Sequence, residues 1–388
     1  MRSLRLVTAF LLALAAAGPM ALGADWGTGA LMVIIERESS SLLVVDSVHG
    51  HKVLGRVEGL GVLQHASITF SRDGRFAYVI SRDSLLSKVD LLTMKLAAQV
   101  KTGESAVGLA VTQDGLHIAV SNYKPPGVVI VRDDDFTIAK SIPTGGKTVG
   151  LVDAPDNLLI VADMEKDSIM AIDAGDPDFP IVKKFDNVGE EPYDGVLTPD
   201  ARYYVAGFFL SPWMGLLDLW KMDKVEKIPL PARDDITGAA PVLKVPHLEG
   251  WFDAGGFLFA PIVGGEGLAI IDAASWKTVG VIPLRAHPIF ALVRPDQRQI
   301  WVNYAMGEFH DTVDIIDVQK REVIKTLKPG GKVFHLQFTP KGMAAYVSSY
   351  ADNKVLVYDT KTFEVIASIA ARGPSGIFCS DRSSKFGL

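Results

Sequence analysis

The sequence predicts an all-β fold, an eight-bladed β-propeller with four antiparallel strands per blade and a ring closed by the C-terminal strand joining blade 1. Three observations predict it. A two-residue, mostly apolar step followed by Asp recurs along the whole chain. A turn signal precedes most of these steps at a steady distance. One strand is missing at the start and one is left over at the end.

The recurring step appears as Val44-Val45-Asp46, Lys88-Val89-Asp90, Ala171-Ile172-Asp173, Leu216-Leu217-Asp218, Ile270-Ile271-Asp272, Ile315-Ile316-Asp317 and Val357-Tyr358-Asp359. Ile130-Val131-Arg132 fills one further slot with Arg in place of Asp. The spacings are 44, 42, 41, 45, 54, 45 and 42 residues, which makes eight units. The second marker is a turn flanked by apolar residues, about 15 to 20 residues upstream. It reads Phe70-Ser71-Arg72-Asp73-Gly74-Arg75-Phe76, Val111-Thr112-Gln113-Asp114-Gly115, Leu197-Thr198-Pro199-Asp200, Val293-Arg294-Pro295-Asp296 and Phe338-Thr339-Pro340-Lys341-Gly342. Asp-Gly between apolar runs is a strong hairpin signal.

Each unit therefore divides into four short strands. In unit two they fall near Ala66–Ser71, Phe76–Ser81, Leu86–Leu91 and Leu96–Lys101. The first unit has room for only three, at Ala30–Glu36, Ser41–Asp46 and His51–Val57. Gly376–Ser380 is the surplus strand, and it is expected to complete blade 1. The long interval carries an insertion between Lys221 and Trp251. Its prolines, Pro229, Pro231, Pro241 and Pro246, predict a loop there.

Residues 1–23 read as a signal peptide, and 24–388 as one propeller domain. Arg2 and Arg5 precede an apolar run from Leu6 to Ala17. Ala21-Leu22-Gly23 then offers small residues at its first and third positions. The run is shorter than the roughly 20 residues that span a bilayer. Export to the periplasm with no stable membrane insertion is the expectation. The net charge is −6, and removing residues 1–23 takes away Arg2 and Arg5 and no acid. So acidic a chain is a poor match for nucleic acid. The one cysteine, Cys379, permits no internal disulfide, and no C-x-x-C-H is present to attach a heme covalently. Any cofactor is therefore expected to bind non-covalently. Cys379 lies in an apolar segment and reads as a small buried residue.

In a propeller, the turns leading into the innermost strands gather on one face, here called upper. They are predicted to carry His65, Ser105-Ala106, Lys147-Thr148, Pro192-Tyr193, His247, Ala286-His287 and Phe334-His335. The second hairpin of each blade opens on the same face and adds Arg82, Tyr123-Lys124 and Tyr304. Four of the eight histidines fall in these positions, on four different blades. Imidazole is a common iron ligand, Arg and Lys pair with carboxylates, and Tyr offers a flat apolar surface with a polar tip. Together they suit a flat, acidic, metal-bearing ring. Arg72 reads as a surface residue on the opposite, lower face. Asp153 stands inside a predicted inner strand, either as a hydrogen-bonded structural acid or as a general acid/base facing the channel. There is no G-x-S-x-G, H-E-x-x-H, phosphate loop or cysteine cluster.

Several long segments carry a family resemblance. They include Val57-Glu58-Gly59-Leu60-Gly61 with His65-Ala66-Ser67, Ser121-Asn122-Tyr123, Val149-Gly150-Leu151-Val152-Asp153-Ala154-Pro155 and Glu191-Pro192-Tyr193-Asp194. Further along are Pro246-His247-Leu248-Glu249-Gly250-Trp251 and Gly373-Pro374-Ser375-Gly376-Ile377-Phe378. Over about Gly27 to Ile377 the chain resembles the NirF family of heme d1 biosynthesis. More distantly it resembles the d1-heme domain of the dissimilatory nitrite reductase, without that enzyme's covalent c-heme domain. The resemblance implies that heme d1, or an iron-bearing precursor of it, is the ligand. His65 matches an axial iron ligand, Asp153 a required acid, and His247 a pocket histidine across the ring. Arg82 matches a carboxylate partner, and His287 resembles a second distal histidine. His65, Asp153 and His247 are then the expected catalytic set. Arg82, Tyr123, Lys124, Lys147, Tyr193, His287 and His335 join His65 and His247 as the expected ring-binding set. The implied activity is modification of tetrapyrrole side chains, or else carriage of heme d1 to the nitrite reductase. That reductase and other heme d1 biosynthesis proteins are the implied partners.

Overall fold

The computed structural model describes residues 27–230, 255–262 and 264–385. The predicted signal peptide, His247 and most of the predicted insertion lie outside these residues.

The strands form eight sheets around a ring. Seven sheets have four strands, and the sheet Phe257–Ile262, Gly267–Asp272 and Lys277–Pro283 has three among the described residues. In blade 4 the order from the axis outward is Thr148–Ala154, Leu158–Asp163, Ser168–Asp173 and Ile181–Phe185. Closure follows the expected plan. Pro374–Cys379 pairs antiparallel with Leu31–Glu36, Ile377 opposite Ile34 and Cys379 opposite Met32, and becomes the inner strand of blade 1. The predicted insertion begins with a strand, because Val225–Pro229 is the outer strand of blade 5 and Pro229 ends it.

The two strands of each blade nearest the axis are largely apolar on both faces because each sheet is sandwiched between two others. In Leu31–Glu36, Leu31, Val33 and Ile35 pack with Ile68, Phe70 and Val79 of blade 2. Met32 and Ile34 point the other way, onto Tyr346 and Val355 of blade 8. Outer strands such as Lys95–Lys101 are largely exposed.

The recurring Asp has a local cause. Asp46 Oδ1 accepts the N–H groups of Val48 and His49, and Asp90, Asp272, Asp317 and Asp359 do the same for their own turns. Where Arg132 replaces Asp, Asp135 takes over and accepts from Thr137. An Asp at a strand end thus satisfies turn amides that the ladder leaves over.

Candidate ligand-binding face

The inner strands of blades 3, 4 and 5 share a bulge near the upper face. Register jumps from Ala106 to Leu109, from Thr148 to Leu151 and from Pro192 to Gly195. Bulges re-aim side chains and are common beside sites. The first residues released, Val107, Val149 and Tyr193, pack together with Tyr123, Met164 and Phe209. The glycines at the second position in blades 3 and 4 let neighbouring strands touch. A Cβ on Gly108 would overlap the Val149 carbonyl oxygen, and one on Gly150 the Tyr193 carbonyl oxygen. The result is an apolar shelf near the mouth of the channel, in which Tyr123, Met164 and Phe209 are partly exposed over buried Val107, Val149 and Tyr193.

Aromatic and cationic groups edge the shelf. Arg82 lies over the Tyr123 ring, 4.7 Å from its centre. The Tyr123 hydroxyl donates to that of Tyr193 at 3.3 Å, and Phe209 meets Tyr193 edge-on at 4.3 Å. Burial first, then the nearby Asp194 carboxylate, pushes the Tyr193 hydroxyl well above the usual tyrosine pKa, so it stays protonated. Lys124 and Lys147 stand on the same face, already paired with Glu104 at 2.6 Å and Glu165 at 2.5 Å. Each glutamate raises its lysine's pKa.

His65 is exposed in the turn before Ser67–Phe70, between blades 1 and 2. The positive φ of 57° at this residue is a conformation that His tolerates better than most side chains. His287 is also exposed, in the turn leading into blade 7.

Two expected mouth residues turn inward. His335 is 2% exposed. It stacks on Phe378 at 5.7 Å, meets Phe290 at 5.3 Å, and accepts the Ile377 N–H at Nδ1. It therefore fills the inner wall rather than the rim. Tyr304 is fully buried and donates to Asp314, which Arg285 grips with two nitrogens. Asp153 is not at the mouth either. It is the sixth of the seven residues in Thr148–Ala154, so at ~3.3 Å per residue it lies roughly 16 Å down the strand from Thr148. There, 3% exposed, it meets Arg72 Nη2 at 2.5 Å. Arg72 is on the lower face, as the turn predicted.

One cation was missed by sequence reading. Arg37 follows Leu31–Glu36 in blade 1 and occupies the same hairpin slot as Arg82 in blade 2 and Tyr123 in blade 3. Its guanidinium lies 5.1 Å from the Phe334 ring centre and 5.6 Å from that of Tyr350. Its Nε is buried without a hydrogen-bond partner among the described residues. Burial lowers its pKa, although that of an arginine remains far above neutrality. Repeat alignment of the second hairpins would have found it, together with Met164 and Phe209.

These features define a class: a closed eight-bladed propeller whose upper face offers an apolar shelf, aromatic-stacked guanidinium groups and an exposed imidazole. The cytochrome D1 heme domain family matches residues 26–383. The chain belongs to the NirF family: it is 39% identical over 370 residues to NirF of Pseudomonas aeruginosa, covering 93% of this chain and 94% of that protein. The match to NirF of Stutzerimonas stutzeri is 38% over 371 residues, with the same coverage. In structure it is similar to the dihydro-heme d1 dehydrogenase NirN in complex with DHE. The TM-score is 0.81 at 22% identity, covering 94% of this chain and 78% of that one. AztD of Citrobacter koseri shares the architecture at 13% identity and TM-score 0.67, covering 92% and 97%.

Proposed function

We propose that this protein is exported to the periplasm, binds heme d1 or a late iron-bearing precursor on its upper face, and modifies the ring's side chains during heme d1 biosynthesis. One observation carries the binding reading. Arg37 and Arg82, from adjacent blades, each back onto aromatic rings, and exposed His65 stands in the turn between those blades. A guanidinium with a buried, unpartnered nitrogen suits a planar acid, which it can engage through a charge-assisted hydrogen bond. The partly exposed Tyr123, Met164 and Phe209, backed by buried Val107, Val149 and Tyr193, suit the apolar ring.

The residues present fit the group. His65 would bind the iron through an imidazole nitrogen, which would hold the ring against the shelf without a covalent link. The bound ring supplies redox-active iron and conjugated side chains. The protein's part is to orient it, exclude water from the covered side and keep Tyr193 protonated as a donor. The match to the cytochrome D1 heme domain family and the 27% identity to a dihydro-heme d1 dehydrogenase support this choice of ligand class. Other heme d1 biosynthesis proteins and the d1-type nitrite reductase are the proposed partners.

A second reading, a carrier without chemistry, draws on the placement of Asp153. The acid expected to move protons pairs with Arg72 far from the mouth. Titration of the mature protein with heme d1 and with its late precursor, followed by mass analysis of the extracted tetrapyrrole, separates the two. A changed mass establishes modification; a stoichiometric spectrum with unchanged mass establishes carriage. His65→Ala should abolish the iron-ligand band of the bound spectrum. A band that persists removes His65 as the ligand.

A further inference from the structure

The lower end of the central channel carries a contact network that the upper-face function does not use. Arg72, in the hairpin of blade 2, donates from Nη2 to the Val111 carbonyl at 2.9 Å and to Asp153 at 2.5 Å. Its Nε reaches the Thr112 carbonyl at 3.3 Å, and Nη1 the Lys385 carbonyl at 3.0 Å. One planar fork therefore ties the lower ends of inner strands in blades 3 and 4 to the segment that follows Pro374–Cys379. That segment is the 3₁₀ helix Ser380–Ser384. Ser380 pins its start, accepting the Leu31 N–H at 2.8 Å and donating to the Thr28 carbonyl. Ser383 packs against Gly74 in the same hairpin as Arg72. Arg382 is 6% exposed, with its guanidinium 5.6 Å from the ring centre of Phe378, an inner-strand residue. The helix thus packs against Leu31–Glu36 of blade 1 and Ser67–Phe70 of blade 2, with Arg382 buried over Phe378.

We infer that Asp153 is a positioning residue that acts through Arg72 to hold the helix Ser380–Ser384 against the lower ends of blades 1 and 2, and so to lock in place the strand Pro374–Cys379 that closes the ring. The chemistry needs both partners. A guanidinium that makes four contacts to three segments must be aimed, and the nearly buried carboxylate of Asp153 aims it. Lys at position 72 would supply the charge without the fork. A carboxylate this deep is in turn tolerated because a cation meets it. Val111, Thr112 and Lys385 each offer Arg72 a carbonyl oxygen, and Asp153 offers it a carboxylate. The inference concerns closure of the fold and stands whatever ligand occupies the upper face.

The chain holds its own reporter. Cys379 is its one cysteine, fully buried, immediately before the helix. The test is the rate of Cys379 alkylation by iodoacetamide in the ligand-free protein. Asp153→Asn and Arg72→Met should each raise it at least about tenfold, since a released segment opens locally before the whole fold does. Asp153→Glu should restore much of the protection. Arg202→Met, which breaks the part-buried pair with Asp218 on the same face, should leave the rate unchanged. A wild-type rate in Asp153→Asn, or an equal rise in Arg202→Met, overturns the inference. If the Met variant does not fold, Arg72→Lys with hydrogen exchange read segment by segment replaces it. Faster exchange at Ser380–Lys385 ahead of the outer strands supports the clamp, and uniform acceleration refutes it.

Discussion

Acidification tests the buried state of His335. Burial, and then the charge of Arg382, pushes this imidazole from 6.5 down to about 3. It is therefore neutral when folded throughout the mildly acidic range, while the unfolded chain takes up a proton below about 6.5. The unfolded state binds more protons, so stability falls as pH drops from about 6.5 toward 3 and is fully present above that window. At pH 5 the loss depends on the unfolded value and hardly on how low the folded one lies. One and a half pH units at 1.36 kcal/mol each give about 2 kcal/mol. The assay is urea unfolding of wild type and His335→Gln at pH 7 and pH 5. Gln keeps an acceptor for the Ile377 N–H but does not titrate. Carboxylates held low, such as Asp83 at about 2, titrate below the assayed range of pH 7 to 5 and are common to both proteins. Wild type should lose about 2 kcal/mol more than the variant between the two pH values. Equal losses would refute a neutral, buried His335.

Three further outcomes follow from the same geometry. Arg37→Met and Arg82→Leu should each weaken tetrapyrrole binding roughly 10- to 100-fold, the equivalent of losing one charge-assisted hydrogen bond of about 1.5–3 kcal/mol. An absorption titration measures this, and unchanged affinity in both variants rejects the carboxylate anchors. Gly150→Ala should cost roughly 1–3 kcal/mol in thermal unfolding, because its Cβ runs into the backbone of the next blade, where no rotamer change can make room. Gly29→Ala, with open space around it, serves as the neutral control. Replacing Ile377 with Ser should lower the single cooperative unfolding temperature rather than release one blade, because this residue sits in the strand that closes the ring; a separate early transition would contradict that.

The architecture was legible because a propeller writes itself into sequence as a period. Each blade needs the same apolar alternation and the same capped turns, so the Asp of Val44-Val45-Asp46 returns six times and is replaced once, by the neighbouring Asp135. The deficit at Leu31 and the surplus at Ile377 likewise declare closure before any pairing is seen. Arg82, Tyr123 and Tyr193 could be placed on one face by counting along the repeat, and they do meet there.

Counting assigns a residue to a turn, but not the direction in which its side chain leaves. Tyr304 and His335 occupy the expected positions and yet point inward, because Asp314 and the rings of Phe290 and Phe378 satisfy them better than solvent would. Arg37 went unmarked because a lone Arg after a strand looks like any surface cation until Phe334 and Tyr350, some 300 residues away, close around it. The pairing of Asp153 with Arg72 spans 81 residues. It depends on how blades 2 and 4 are rotated about a common axis, a relation that only packing of the whole ring creates.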